Sequence, residues 1–150
     1  MALPRFKKMD MKVLSLILAL IGFLFFGTTA SAFEVFPVKY EKVKFSWKSN
    51  TLFEGIIKIY LKNNTDENIY DVVATISSAP ANTKVIDGSV HFGQIKAGQT
   101  LLSKDSFTVQ TDTANPSDPN EGITWKIRYK DQDGKVHVLQ SVPEFVTSGD

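Results

Sequence analysis

"ITWKIRYKDQDGKVHVLQ", residues Ile123–Gln140, decides the fold. Ile123, Trp125, Ile127 and Tyr129 alternate with Thr124, Lys126, Arg128 and Lys130. A period of two belongs to a strand with one face in the core and one in water. Asp131-Gln132-Asp133-Gly134 then supplies turn formers, and Val136, Val138 and Gln140 begin a second alternating run. Turn residues between two such runs predict a β-hairpin.

The same alternation recurs upstream. Val43, Phe45 and Trp47 alternate with Lys42, Lys44, Ser46 and Lys48, which predicts a strand with an apolar inner face and a basic outer one. Phe53, Ile57, Ile59 and Leu61 share one parity in a longer strand that stops at the turn formers Lys62–Asp66. Ile69–Ile76 places Val72, Ala74 and Ile76 on one face. Short strands are expected at Lys84–Ile86 and Ser89–Phe92, separated by an Asp87-Gly88 turn, and a further one over Thr100–Gln110 carries Phe107 and Val109. Thr111–Gly122 is the longest irregular stretch. The 150-residue chain shows no helical period past Phe33. Seven or eight short strands, spaced at about 8–12 residues, indicate an all-β sandwich of two sheets.

The N-terminus reads differently. Arg5, Lys7, Lys8 and Lys12 lead into an apolar run from Val13 to Phe26, followed by Ala30-Ser31-Ala32. This is the pattern of a secretory signal peptide over residues 1–32, cleaved before Phe33. The run is shorter than the ~20 residues that cross a bilayer, so no membrane span is expected in the mature form, a single domain over residues 33–150. Its removal takes away four basic side chains and Asp10, and the 17 basic and 16 acidic residues become 13 and 15, a formal charge of −2. Overall charge therefore makes no case for nucleic-acid binding. No cysteine is present. The domain folds without disulfides and has no thiolate nucleophile and no cysteine metal site. A secreted or periplasmic product is the expectation.

"HFGQIKAGQTLLSKDSFTV", from His91, has two glycines five residues apart. In a two-sheet sandwich the chain crosses between sheets about 10 Å apart, and such corners favour glycine. Gly93 and Gly98 suit that crossing, with Ile95 turned into the end of the core and Lys96 and Gln99 in solvent. The stretch Ile57–Val109 resembles the immunoglobulin-like extracellular modules of bacteria and archaea, the CARDB-like and related cell-surface domains. Asn64 and Thr65 match their turn, Asp71-Val72-Val73 the strand that follows, and Ile95, Gly98 and Thr100 the corner. The resemblance implies an immunoglobulin-like sandwich with adhesion or modular binding roles. It carries no site residues.

Candidate sites are few. Two strands carry basic outer faces: Lys42, Lys44 and Lys48 on the first, Lys126, Arg128 and Lys130 on the penultimate. As neighbours in one sheet they would form a stripe of six positive charges suited to an acidic polysaccharide, a lipid headgroup or an acidic protein. Lysines on edge strands also guard against edge-to-edge pairing. Asp112, Asp118, Asn120 and Glu121 cluster hard oxygen ligands in the irregular loop, the better calcium candidate. Asp131–Lys135 begins like a calcium loop, but Val142 stands at the twelfth position where glutamate is needed, so a hairpin turn is expected. His91 and His137 lie far apart without metal-ligand spacing, and no Gly-x-Ser-x-Gly elbow exists. No cofactor is expected. Parity assigns Trp47 and Trp125 to the core and leaves Tyr60 facing solvent. The expected function is non-catalytic binding of an envelope or extracellular protein. A carbohydrate- or polyanion-binding module is the alternative, and a small secreted hydrolase the least supported.

Overall fold

The structure is a computed structural model that describes residues 34–118 and 121–141. Residues 1–32, read as a signal peptide, lie outside that range. The described residues form nine strands: β1 (Val35–Trp47), β2 (Leu52–Asn63), β3 (Ile69–Ser78), β4 (Thr83–Asp87), β5 (Ser89–Ile95), β6 (Thr100–Leu102), β7 (Phe107–Asp112), β8 (Thr124–Lys130) and β9 (Val136–Ser141). Among the described residues no helix is long and apolar enough to cross a membrane.

The strands form two antiparallel sheets. One runs β1-β2-β7-β4, with β6 also paired to β2, and the other runs β5-β3-β8-β9. Constant-type immunoglobulin domains order A, B, E and D in one sheet and C, F and G in the other. Here β1, β2, β7 and β4 take the first order and β3, β8 and β9 the second, with β5 added outside β3. The chain is an immunoglobulin-like sandwich, as expected.

The expected single strand over Thr100–Gln110 is two. β6 pairs with the Tyr60–Lys62 end of β2 and β7 with the Leu52–Ile57 end, so they follow one another along the same flank. Buried Ser103 bridges them by exchanging backbone bonds with Ile59: its N–H donates to the Ile59 carbonyl, and its Oγ accepts the Ile59 N–H at 3.2 Å.

The stretch holds the corner it was read to be, but of its two glycines only Gly98 lies there: Gly93 sits inside β5, paired with Val72 beside a register shift. β5 ends at buried Ile95 in the four-stranded sheet and β6 starts at Thr100 in the five-stranded one, so Lys96–Gln99 carries the crossing. Gly93 and Gly98 have φ of 75° and 69°, the left-handed region that favours glycine. A second crossing occurs where a turn within one sheet was expected. β4 and β5, separated only by Gly88, belong to different sheets, so Asp87-Gly88 passes the chain between sheets and joins no hairpin.

Two expectations about the first strand need correction. It begins at Val35, and Val43 and Trp47 are 52% and 41% exposed. The register runs Lys42↔Ile57 and then Lys44↔Ile56, which leaves Val43 as the extra residue of a bulge. Trp47 keeps the parity of buried Phe53 opposite it and packs edge-on against that ring at 5.3 Å. β1 is an outermost strand, so one flank of the indole stays open to water. Parity assigns a face; it does not supply the cover.

The core fills the space between the sheets as the alternation predicts. Ile57, Ile59 and Leu61 of β2, Phe107 and Val109 of β7, Val72 and Ala74 of β3, and Trp125, Ile127 and Tyr129 of β8 are all buried. Trp125, 1% exposed, meets Phe107 edge-on at 5.1 Å and donates its Nε1–H to the Tyr40 Oη of β1 at 2.8 Å. That bond ties the two sheets across the core.

Candidate functional site

The hairpin that decided the fold also builds the most distinctive surface. Its register pairs Lys126 with Gln140, Arg128 with Val138 and Lys130 with Val136. On the other flank of β8, Thr75 and Val73 stand opposite Lys126 and Arg128. Directly paired residues share a face, so the outer face carries a central basic row beside an apolar one. Val136 and Val138 are 43% and 53% exposed. The inner positions of β9 are His137, Leu139 and buried Ser141, whose Oγ accepts the Trp125 N–H.

Lys130 is partly neutralised. Its Nζ lies 2.8 Å from the Asp71 carboxylate, and this bond, with a smaller contribution from Arg128, holds the Asp71 carboxyl below the ordinary aspartate range. Asp71 itself sits at φ 50° in a bulge of β3, a position aspartate tolerates better than most residues. Lys126 and Arg128 form no hydrogen bond or ion pair among the described residues.

The six basic residues read as one stripe are not brought together. Lys42 and Lys44 lie on β1 in the five-stranded sheet, with Lys48 just beyond, whereas Lys126, Arg128 and Lys130 lie on β8 in the four-stranded sheet. The condition for the stripe, adjacency in one sheet, is not met. The first group is locally engaged: Lys42 Nζ sits 4.8 Å from the Phe45 ring centroid, and Lys48 Nζ lies 2.8 Å from Glu54. Lys42 and Lys44 occupy an edge strand, where guarding against pairing is the ordinary role. β8 is an interior strand, so that explanation does not cover its basic row.

The described carboxylates of the acidic loop make local contacts. Asp112 accepts the Ala114 N–H at 3.0 Å and the Asn115 amide at 2.7 Å, contacts that hold its carboxyl low. Glu121 accepts the Ala81 N–H, and its own N–H donates to the Asp118 carbonyl. Asn120 lies outside the described residues. Among the described residues no group of three histidine or carboxylate side chains stands where it could hold a metal ion.

The histidines occupy opposite edges of one sheet, His91 on β5 and His137 on β9. Each is paired with a carboxylate. His91 Nδ1 lies 2.8 Å from Asp105, and His137 Nε2 lies 2.8 Å from Asp131 while its ring stacks on Tyr129 at 5.0 Å. Asp131 also accepts the N–H groups of Asp133 and Lys135, so "DQDGK" is a hairpin turn with its own carboxylate as cap. Tyr60 donates its hydroxyl to Glu41 at 2.7 Å on the outer face of the five-stranded sheet.

The outward valines of β9 are the surface feature sequence reasoning missed, and a signal existed. Once the basic positions of β8 are outward, a five-residue turn over Asp131–Lys135 pairs Lys130 with Val136 and forces both valines outward.

No protein-family model matches this chain. No curated protein matches it either. Among solved structures it is similar to the crystal structure of the yeast GGA1 GAE domain, at 11% identity and a TM-score of 0.44, covering 74% of this chain and 92% of that one.

Proposed function

We propose that the chain is an exported, non-catalytic immunoglobulin-like module, of the CARDB-like cell-surface kind that Ile95, Gly98 and Thr100 resemble. It acts in the periplasm or outside the cell by binding an envelope or extracellular protein through the β9 edge of the four-stranded sheet.

One observation carries this reading: among the described residues, and of the four strands that end the two sheets, β9 alone lacks a guard. Exposed strand edges are ordinarily blunted by charge, bulges, proline or a covering loop. β1 carries Lys39, Glu41, Lys42, Lys44 and two register shifts. β4 is five residues long, with Lys84, Asp87 and a shift. β5 is covered, since the Lys104 N–H donates to the His91 carbonyl and the Asp105 carboxylate takes the His91 N–H at 2.7 Å. β9 has an unbroken register, no Lys, Arg, Asp, Glu or Pro, and two exposed valines beside Lys126 and Arg128. An edge left flat and apolar is a template for another chain.

The test is retention of partners from envelope and secreted fractions on the immobilised protein, washed in low and in high salt. A protein retained in high salt by the wild type and lost by Val138→Lys supports this reading; retention of glycan alone removes it.

Exposed Trp47, with Phe53 behind it and the Lys42–Phe45 contact nearby, favours the second reading, a carbohydrate-binding module. A flat indole stacks on a sugar face. Under that reading Trp47→Ala abolishes glycan retention while leaving protein partners untouched.

A further inference from the structure

We propose that the β9 edge accepts an extended acidic segment of the partner protein, added as a further strand of the four-stranded sheet. This rests on the reading of the chain as a protein-binding module and names the chemistry of what it binds.

Among the described residues the backbone of Val136–Ser141 pairs with β8 on one side only, which leaves its outward N–H and C=O groups to a new strand. Side chains of that strand alternate between the two faces of the sheet. Those on the outer face lie beside Val136 and Val138, with Lys126 and Arg128 one strand further in. Two strand spacings, about 9.6 Å, separate β8 from the incoming backbone. A lysine or arginine side chain leaning across a valine and a glutamate leaning back span that gap together. Those on the inner face meet the half-buried ring of His137 and Leu139, where small apolar side chains fit. The matching sequence is therefore an alternation of acidic and apolar residues.

The charge pattern also disfavours a second copy of this chain as occupant. The outer face of β8 and β9 presents Lys126, Arg128, Lys130, Val136, Val138 and Gln140, with no carboxylate on either strand. Self-pairing leaves Lys126 and Arg128 without counter-charge, whereas an acidic strand supplies it.

The probes are labelled octapeptides of alternating valine and glutamate, the same with lysine for glutamate, and the valine-glutamate peptide N-methylated at alternate amides. They are titrated into the full chain by fluorescence anisotropy. Saturable binding of the acidic peptide is expected, about tenfold tighter than the lysine peptide, as two or so exposed charge pairs warrant. N-methylation on the edge-facing amides abolishes binding, because it replaces the donors to β9 with methyl groups set against that edge. Exchange of Lys126 and Arg128 for glutamate reverses the preference between the two peptides. The proposal is overturned if no peptide saturates, if the N-methylated peptide binds as well as its parent, or if the charge exchange leaves the preference unchanged. A dimer of the chain at the same concentrations that Val138→Lys dissociates overturns it in favour of self-pairing. A partner kept equally by wild type and Val138→Lys leaves the binding-module reading standing and removes the strand-edge site. An acidic peptide that binds while no envelope protein is ever captured does the reverse.

Discussion

Asn63 ties the corner of the fold together from a buried position. Its Nδ2 donates to the carbonyls of Glu67, Ile95 and Lys96 at 2.8, 3.1 and 3.2 Å, and its Oδ1 accepts from the N–H and hydroxyl of Thr65. The side chain is fully buried, so removing it strands backbone carbonyls away from water. Asn63→Ala should lower stability by about 2–3 kcal/mol, measured by urea unfolding. Asn63→Asp should do no better, because a carboxylate offers no donor to three carbonyls. Asp131 gives a pH signature. Its bond to His137, joined by those from the Lys135 and Asp133 amides, holds its carboxyl below the ordinary range. A depressed carboxyl contributes stability above the unfolded value of about 3.9 and loses it as pH falls through the lower folded value. The melting-temperature gap between wild type and Asp131→Asn should be full above pH 5, begin to narrow near pH 4 and close only below the folded value. Asn63 reads in sequence as one more turn former among Lys62–Asp66. Its role was not legible there, because two of the three carbonyls it binds come from residues more than thirty positions away in the chain.

Alternation placed β2, β3 and β8 correctly because an interior strand has one buried face along its whole length. β1 and β9 behaved differently because each is outermost. A bulge at Val43 shifts the period in β1, and the register of the hairpin turns the valines of β9 outward. Gly98 in the corner between β5 and β6, and Gly93 inside β5, test the backbone argument. A Cβ on Gly98 meets nothing within 4 Å, and one on Gly93 meets only the end of the Lys104 side chain, at 2.8 Å. The cost at both is then left-handed strain, about 1–2 kcal/mol for alanine. Gly98→Ala and Gly93→Ala should destabilise alike, and Gly98→Asn less than either, as read by thermal unfolding. A much larger loss at Gly93 would show that Lys104 cannot move aside.

The two sheets share one core, and the Trp125–Tyr40 bond ties them across it. Burial pushes the Tyr40 hydroxyl up to about 12, the bond from Trp125 pulling only weakly the other way. A tyrosine raised in the folded state keeps its stabilising effect below about pH 10 and loses it as pH rises toward the folded value. Tyr40→Phe should therefore cost about 1–3 kcal/mol near neutrality, since it leaves a buried indole N–H unpaired. Both sheets should unfold together: far-ultraviolet and near-ultraviolet circular dichroism should give one midpoint in wild type and variant alike. Separate midpoints would mean that each sheet carries a core of its own. Composition and periodicity determined by themselves that the described chain is all-β, where its interior strands lie and that Trp125 is buried, because those depend on which side chains leave water. Which strands are neighbours, which edge is left bare and whether basic residues meet were decided only by the tertiary structure. Adjacency depends on how the chain crosses between sheets, at Asp87-Gly88 and again at Lys96–Gln99, and a local period of two carries no record of those crossings.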